Sequence, residues 1–251
     1  MTSDADKPWW NTEFAVETYK TIGIAAFFFL FMPTLLFQPF RIPSSSMDGT
    51  LEIGDYLFVS KFTYGYSQYS FPFFTPVAFA GRVMDSPAQR GDVVVFRFPP
   101  DPTQDYIKRV VGLPGDRIQM IGGVLHINGE PVKLERIEDR VGFDDFGDEK
   151  RIARYYETLP GGVRHVVLDE TPNSTYDNTA EFVVPKGHYF MMGDNRDNSN
   201  DSRGAVGFVP EQNLVGRAEI VFFSHDGSAE FWELWKWPFA VRYGRLLTLI
   251  G

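Results

Sequence analysis

A chain of 251 residues without a single cysteine is long enough for one full-sized hydrophobic core, and it has no means of building disulfides, thiolate metal sites or a thiol nucleophile. Its 33 acidic residues against 24 basic ones leave a formal charge of -9, which argues against a non-specific nucleic-acid binder, because phosphate affinity needs clustered positive charge. A mean hydropathy of -0.19 rules out a polytopic membrane protein, yet 24 phenylalanines leave much apolar surface to hide.

Residues 1–20 read as a polar N-terminal tail. From Thr21 to Phe40 no residue is charged, Lys20 and Arg41 bound the run, and a helix of twenty residues rises about 30 Å, one hydrocarbon core. This predicts a single transmembrane helix over 21–40, with Pro33 tolerated because its freed carbonyl can be satisfied locally. The alternatives are a cleaved signal peptide, which the lack of a small-residue cleavage site before Arg41 disfavours, and a buried core helix. Lysines before the span and basic residues after it balance, so charge alone does not orient it.

Beyond Arg41 the chain reads as β structure. Runs rich in Val, Ile, Phe and Tyr at Tyr56–Val59, Val93–Phe98, Tyr106–Val111, Val163–Leu168, Tyr189–Met192 and Leu214–Phe223 are each punctuated by Gly, Pro, Asn or Asp. Gly122-Gly123 and Asn128-Gly129, set between apolar runs from Ile118 to Val132, predict a three-stranded meander. From Lys133 to Arg151, 12 of 19 residues are charged with mixed sign, which reads as a solvated, mobile loop. A short aromatic helix is expected near Phe231–Trp237. The division is a catalytic β domain over 41–114 and 187–251, with residues 115–186 a β-hairpin insertion carrying the charged loop.

Chemistry narrows by elimination. The chain contains no H-E-x-x-H, no G-x-x-x-x-G-K-[ST], no G-x-S-x-G and no S-x-x-K, and His126, His165, His188 and His225 lack a triad context. A serine cluster remains, Ser44, Ser45 and Ser46, placed directly after the apolar run, together with a lysine inside an apolar strand, Asp105-Tyr106-Ile107-Lys108-Arg109-Val110-Val111. Neutral lysine can act as a base toward a serine hydroxyl if desolvation lowers its pKa from about 10.4 toward 7 to 8. Period-2 alternation puts Lys108 on the face of Tyr106 and Val110, and Arg109 on the other.

Four segments in order then resemble the bacterial type I signal peptidases, membrane-anchored Ser/Lys endopeptidases that remove signal peptides from exported preproteins. They are Pro43-Ser44-Ser45-Ser46-Met47 with Gly54-Asp55, Arg90-Gly91-Asp92-Val93-Val94-Val95-Phe96, Asp105 through Asp116, and Gly193 through Arg203 followed by Gly207-Phe208-Val209-Pro210. The resemblance implies a mainly β, signal-peptidase-like catalytic domain on one N-terminal transmembrane helix. It implies Ser46 as nucleophile, Lys108 as general base, Ser44 with the Ser46 N–H as oxyanion hole, and Ser199 as the hydroxyl that orients the lysine amine. Asp201 with Arg203, and Asp194 with Arg109, are implied as supporting ion pairs. Phe40, Ile42, Met47, Leu51, Val95, Tyr106 and Ile107 are implied to line shallow pockets for the small residues of an Ala-x-Ala signal, with core packing as their alternative.

The same resemblance implies signal peptides and the lipid bilayer as partners, no cofactor or metal, no nucleic acid, and a single-pass protein of the bacterial inner membrane with its catalytic domain on the periplasmic side. A monomer is expected. Phe71-Pro72-Phe73-Phe74, Phe79 and the Trp232, Trp235, Trp237 group are aromatic enough to seat the domain at the lipid interface, core packing being the alternative for the tryptophans. Asp48-Gly49 predicts a flexible loop beside Ser46. Other readings stay open: a calcium-like loop built on Asp194, Asp197 and Asp201, a self-cleaving repressor-like Ser/Lys protease, and a membrane-tethered adaptor without catalysis.

Overall fold

The computed structural model of the chain describes residues 13–31, 35–70, 81–143, 149–171, 173–230 and 232–251. The first element is α1, Glu13–Phe31, whose Ile22, Ile24, Phe27, Phe28 and Phe29 are all exposed. Among the described residues no helix is long and apolar enough to cross a membrane. The boundaries expected for the span also shift. The helix starts eight residues earlier than Thr21, taking in Glu17 and Lys20, and the far end of the apolar run is a strand, β1, Phe37–Arg41. Pro39 explains part of this, since a residue without an N–H suits an edge strand and not a helix interior. Pro33 lies outside the described residues.

The strands follow in order: β2 Asp55–Ser60, β3 Val93–Arg97, β4 Asp105–Gly112, β5 Arg117–Ile121, β6 Val124–Ile127, β7 Glu130–Pro131, β8 Lys133–Phe143, β9 Glu149–Thr158, β10 Arg164–Asp169, β11 Phe182–Val183, β12 His188–Met192, β13 Val209–Pro210, β14 Leu214–Ser224 and β15 Thr248–Leu249. The chain is mainly β, as its punctuated apolar runs predict. An 8-stranded sheet runs β1-β2-β14-β3-β4-β12-β13, with β15 also on β14. Register shifts within the pairings of β14 with β2 and β3 bend this sheet, because an extra residue on one strand increases local twist. Its buried apolar residues pack into one core that joins Leu57 and Val215 to Met47 and Leu51 of the turn after β1, another around Phe96, Val110, Tyr189 and Leu214, and a third, through Val111, Phe190 and Met192, shared with the insertion.

The insertion is two further sheets. The expected meander forms as β5-β6-β7, joined by β11, and buries Ile118, Met120, Leu125 and Ile127. The described part of the charged stretch is not a loop: it is all of β8 and the start of β9, an antiparallel pair that β10 extends to three strands. Charge suits a strand with solvated edges, and Arg136 with Asp139 and Arg164 with Glu135 form half-exposed pairs, one on each face of this sheet. The helix expected near Phe231–Trp237 is shorter and later, α2, Trp237–Ala240, held off by Pro238 in its first turn. Trp232 and Trp235 are exposed, against the core-packing alternative, while the Trp237 ring stacks on Phe223 at 5.7 Å. Phe71 to Phe74, Phe79 and Phe231 lie outside the described residues.

Candidate active site

Ser46 and Lys108 come together from distant parts of the chain. Ser46 sits in the turn that follows β1, and Ile42, Met47 and Leu51 pin that turn by burying their side chains in the core beneath it. The turn closes with the Asp48 N–H on the Ser45 carbonyl at 2.9 Å and the Leu51 N–H on the Met47 carbonyl at 2.8 Å. Lys108 lies in β4, paired across to Val94 of β3. Its Nζ donates to Ser46 Oγ and to the Ile107 carbonyl, both at 2.7 Å. The side chain is enclosed, with a residue exposure of 4%.

Among the described residues no carboxylate is hydrogen-bonded to that amine. Burial is the dominant influence and destabilises the ammonium, while the fields of Asp201 and Asp194 favour it; the balance lowers the lysine to about 8. A lysine in that range is half neutral at mildly alkaline pH and can accept a proton from the hydroxyl it faces.

The neighbouring residue is treated in the opposite way. Arg109 is fully buried and its Nε and Nη2 donate to the two oxygens of Asp194 at 2.9 and 2.8 Å, with Nη1 on the Gly91 carbonyl at 2.7 Å. Thr50 joins the pair, donating to Asp194 Oδ2 at 2.5 Å and accepting from Arg109 Nη2 at 3.0 Å. Burial opposes the Asp194 charge, but the guanidinium outweighs it and holds the carboxyl below the usual range. Asp201 and Arg203 form the second expected pair, at 2.9 and 2.8 Å, and Asp201 Oδ2 also accepts from the Gly193 N–H at 3.1 Å. These partners exclude the calcium-like reading, because Asp194 and Asp201 spend their oxygens on arginines and Asp197 accepts the N–H groups of Glu170 and Thr171.

The Gly193–Asn195 segment supports the serine from behind, with the Asn195 N–H on the Ser46 carbonyl at 3.2 Å. A Cβ on Gly193 would collide with that carbonyl and with Ser199 Oγ, so only glycine permits the approach. The expected bond from Ser199 to the lysine is not formed. Among the described residues Ser199 Oγ is buried without a hydrogen-bond partner, because Lys108 directs its donors to Ser46 and to the Ile107 carbonyl. Ser44 is exposed, its Oγ 3.5 Å from Ser46 Oγ.

One cleft opens at Ser46 and Lys108, and a second adjoins it along Tyr106 and Ile107. The larger, about 380 Å³, is walled by Ser44, Ser46, Lys108, Tyr106 and by Asn198 and Asn200. The smaller, about 130 Å³, is lined by Phe40, Ile42, Val95, Tyr106 and Ile107. Five of the seven expected pocket residues therefore line a cleft. Met47 and Leu51 do not; both are wholly buried in the core under the Ser46 turn. Asn198 and Asn200 were not singled out, although they lie within the Gly193–Arg203 motif. Sequence reasoning also missed Glu157 and Arg196, which bond at 2.8 and 2.5 Å, and set aside His165, which is buried with Nε2 3.4 Å from Glu157 and 3.7 Å from Asp194. Burial opposes the Glu157 charge, yet Arg196 lowers it to about 2.

Comparison with known proteins finds similarity over most of the chain. The pattern of the family described as Signal peptidase, peptidase S26, matches residues 15–223. Signal peptidase I of Rickettsia typhi is 42% identical over 219 residues, covering 84% of this chain and 80% of its own, and that of Rickettsia akari is 41% identical over 227 residues, covering 88% and 80%. The crystal structure of a signal peptidase I from Enterococcus faecalis aligns with 53% of this chain and 97% of its own at 26% identity, with a TM-score of 0.31, a superposition too loose to speak for the fold.

Proposed function

Because the chain belongs to the signal peptidase (peptidase S26) family and is a serine peptidase of the signal peptidase I type, we propose that it cleaves N-terminal signal peptides from exported preproteins by a Ser46/Lys108 dyad. The observation that carries this reading is the 2.7 Å contact between Lys108 Nζ and Ser46 Oγ, in a site where burial holds the lysine near 8. Neutral Lys108 takes the proton as Ser46 Oγ attacks the scissile carbonyl. The resulting ammonium then protonates the leaving amine, and the regenerated amine activates the water that hydrolyses the acyl-enzyme.

The oxyanion is bound by the Ser46 N–H and Ser44 Oγ, and such preorganised donors are worth about 2.7 to 4 kcal/mol in the transition state. The two clefts take the first and third residues before the cut, the apolar lining of the smaller one favouring a small side chain such as alanine. Exposed Phe27, Phe28 and Phe29 on α1 support a membrane tether through this helix, with the β domain on the extracytoplasmic side of the bacterial inner membrane.

The test is to incubate the full chain in detergent with a preprotein whose signal ends in Ala-x-Ala, beside Ser46→Ala and Lys108→Met, and to locate cuts by mass spectrometry. Cleavage after the alanine by the unmodified chain alone is expected. A cut that survives Ser46→Ala assigns the wrong nucleophile.

A further inference from the structure

The turn that carries Ser46 lacks a stiff residue of its own. Gly49, three residues on, has a φ of +108°, and its backbone lies so close to β10 that a Cβ there would stand 2.7 Å from Leu168 Cδ1 and 3.0 Å from the Val166 carbonyl. A turn built on Asp-Gly is flexible in isolation. Burial of Met47 and Leu51 anchors the turn from beneath, and its Asp48–Gly49 corner is contacted by the three-stranded sheet of the insertion.

That sheet reaches the turn from one side and its backing segment from the other. The pairing of β8 with β9 shifts register between Ile137 and Arg140, and at this bulge the Arg140 guanidinium pairs with Asp48 Oδ1. The same carboxylate oxygen accepts the Gly49 N–H at 2.9 Å, so one atom joins turn and sheet. On the other side, Leu168 of β10 donates its N–H to the Asp194 carbonyl and accepts the Arg196 N–H, each at 2.9 Å. Those two bonds bracket Asn195, whose N–H holds the Ser46 carbonyl. The buried Glu157–Arg196 pair, with His165 beside it, fastens the sheet to that segment.

We propose that the β8–β10 sheet is a positioning element for Ser46, with Arg140 the residue through which it restrains the turn. Neither cleft is lined by a residue of this sheet, so its contribution falls on the placement of Ser46 Oγ and not on substrate binding. The Arg140 and Asp48 side chains are 42% and 17% exposed, and a pair so placed adds little to overall stability. Its effect on geometry is separable from any effect on folding. Displacement of a reacting group by about 1 Å can cost up to about 100-fold in rate. This inference rests on the reading of Ser46 as nucleophile.

The test uses the full chain in detergent. Arg140→Ala is expected to lower kcat about tenfold with KM and thermal midpoint unchanged, and Arg140→Lys to restore part of the loss. Asp48→Asn keeps an acceptor for the Gly49 N–H but removes the charge, and combined with Arg140→Ala it should cost no more than either alone, because both break one contact. Lys133→Ala, on the same strand but with a side chain 70% exposed and paired with Glu135, serves as the unaffected control. Hydrogen exchange supplies a readout independent of turnover: Arg140→Ala should accelerate exchange in residues 47–51. Wild-type kcat in Arg140→Ala, additive losses in the double variant, or unchanged exchange would each overturn the proposal. If Ser46→Ala still cuts, the nucleophile assignment fails, and the exchange result still decides whether Arg140 restrains the turn.

Discussion

Lys108 and Arg109 are consecutive on one strand and equally hidden from solvent, with exposures of 4% and 0%. The two faces of β4 nevertheless treat a cation in opposite ways. Arg109 is answered by a bidentate carboxylate, a threonine hydroxyl and a backbone carbonyl, so its charge is compensated and fixed. Lys108 is answered by a serine hydroxyl and a single carbonyl, so its charge is left costly. Burying a cation is expensive in both places. On one face the cost is offset and the result is scaffold; on the other it is kept as a lowered pKa, which suits the base proposed for this site.

Placing methionine at each position in turn should break the comparison most sharply. Lys108→Met is expected to cut kcat by about 100- to 10,000-fold, the usual value of a positioned acid–base group, while thermal unfolding shifts little or upward because no ammonium remains to be desolvated. Arg109→Met should do the reverse in kind, destabilising the fold by about 3 to 5 kcal/mol by leaving Asp194 buried and unpaired, as followed by denaturant unfolding. Ser44→Ala keeps both faces of β4 intact and is expected to lower kcat by about 100- to 1,000-fold with little change in KM.

The smallest effect concerns a carboxylate without a cation. Burial and the nearby charges of Asp197 and Asp177 push Asp169 up to about 6, above its ordinary value of 3.8. An acid whose folded pKa is raised binds more protons folded than unfolded between those values, so stability falls as pH rises from about 4 through 6. Asp169→Asn should flatten that slope and slightly raise the melting temperature at pH 7.5, with no gain at pH 4.

Most of the catalytic sheet was legible because its strands are apolar runs between turn residues. Tyr56–Val59, Val93–Phe98, Tyr106–Val111 and Leu214–Phe223 all fall on β2, β3, β4 and β14. The meander was legible for the same reason, through its Gly-Gly and Asn-Gly turns. The charged hairpin β8–β9 was not, because its pairing is decided by cross-strand partners and not by an apolar period. The end of the apolar run was misjudged because Phe37 to Phe40 are as apolar in an edge strand as in a helix.

At the site, alternation along β4 separated Lys108 from Arg109, and motif resemblance brought Ser46 and the two ion pairs into view. Ser199 was expected on the lysine and instead stands beside Gly193, a matter of side-chain direction that no spacing encodes. Met47 and Leu51 read equally as pocket or core, and burial assigned them to the core. Glu157 and His165 carried no local signal, since their partners lie in the Gly193–Arg203 segment, reached only through the fold.

The central claim is that neutral Lys108 receives the Ser46 proton, and the pH dependence of kcat/KM on an Ala-x-Ala preprotein tests it most directly. The account predicts an acid limb rising about tenfold per pH unit to a midpoint near 8, where burial holds the lysine, and then a plateau. An acid limb centred at pH 4 to 5 would place a carboxylate in the role of base and contradict it.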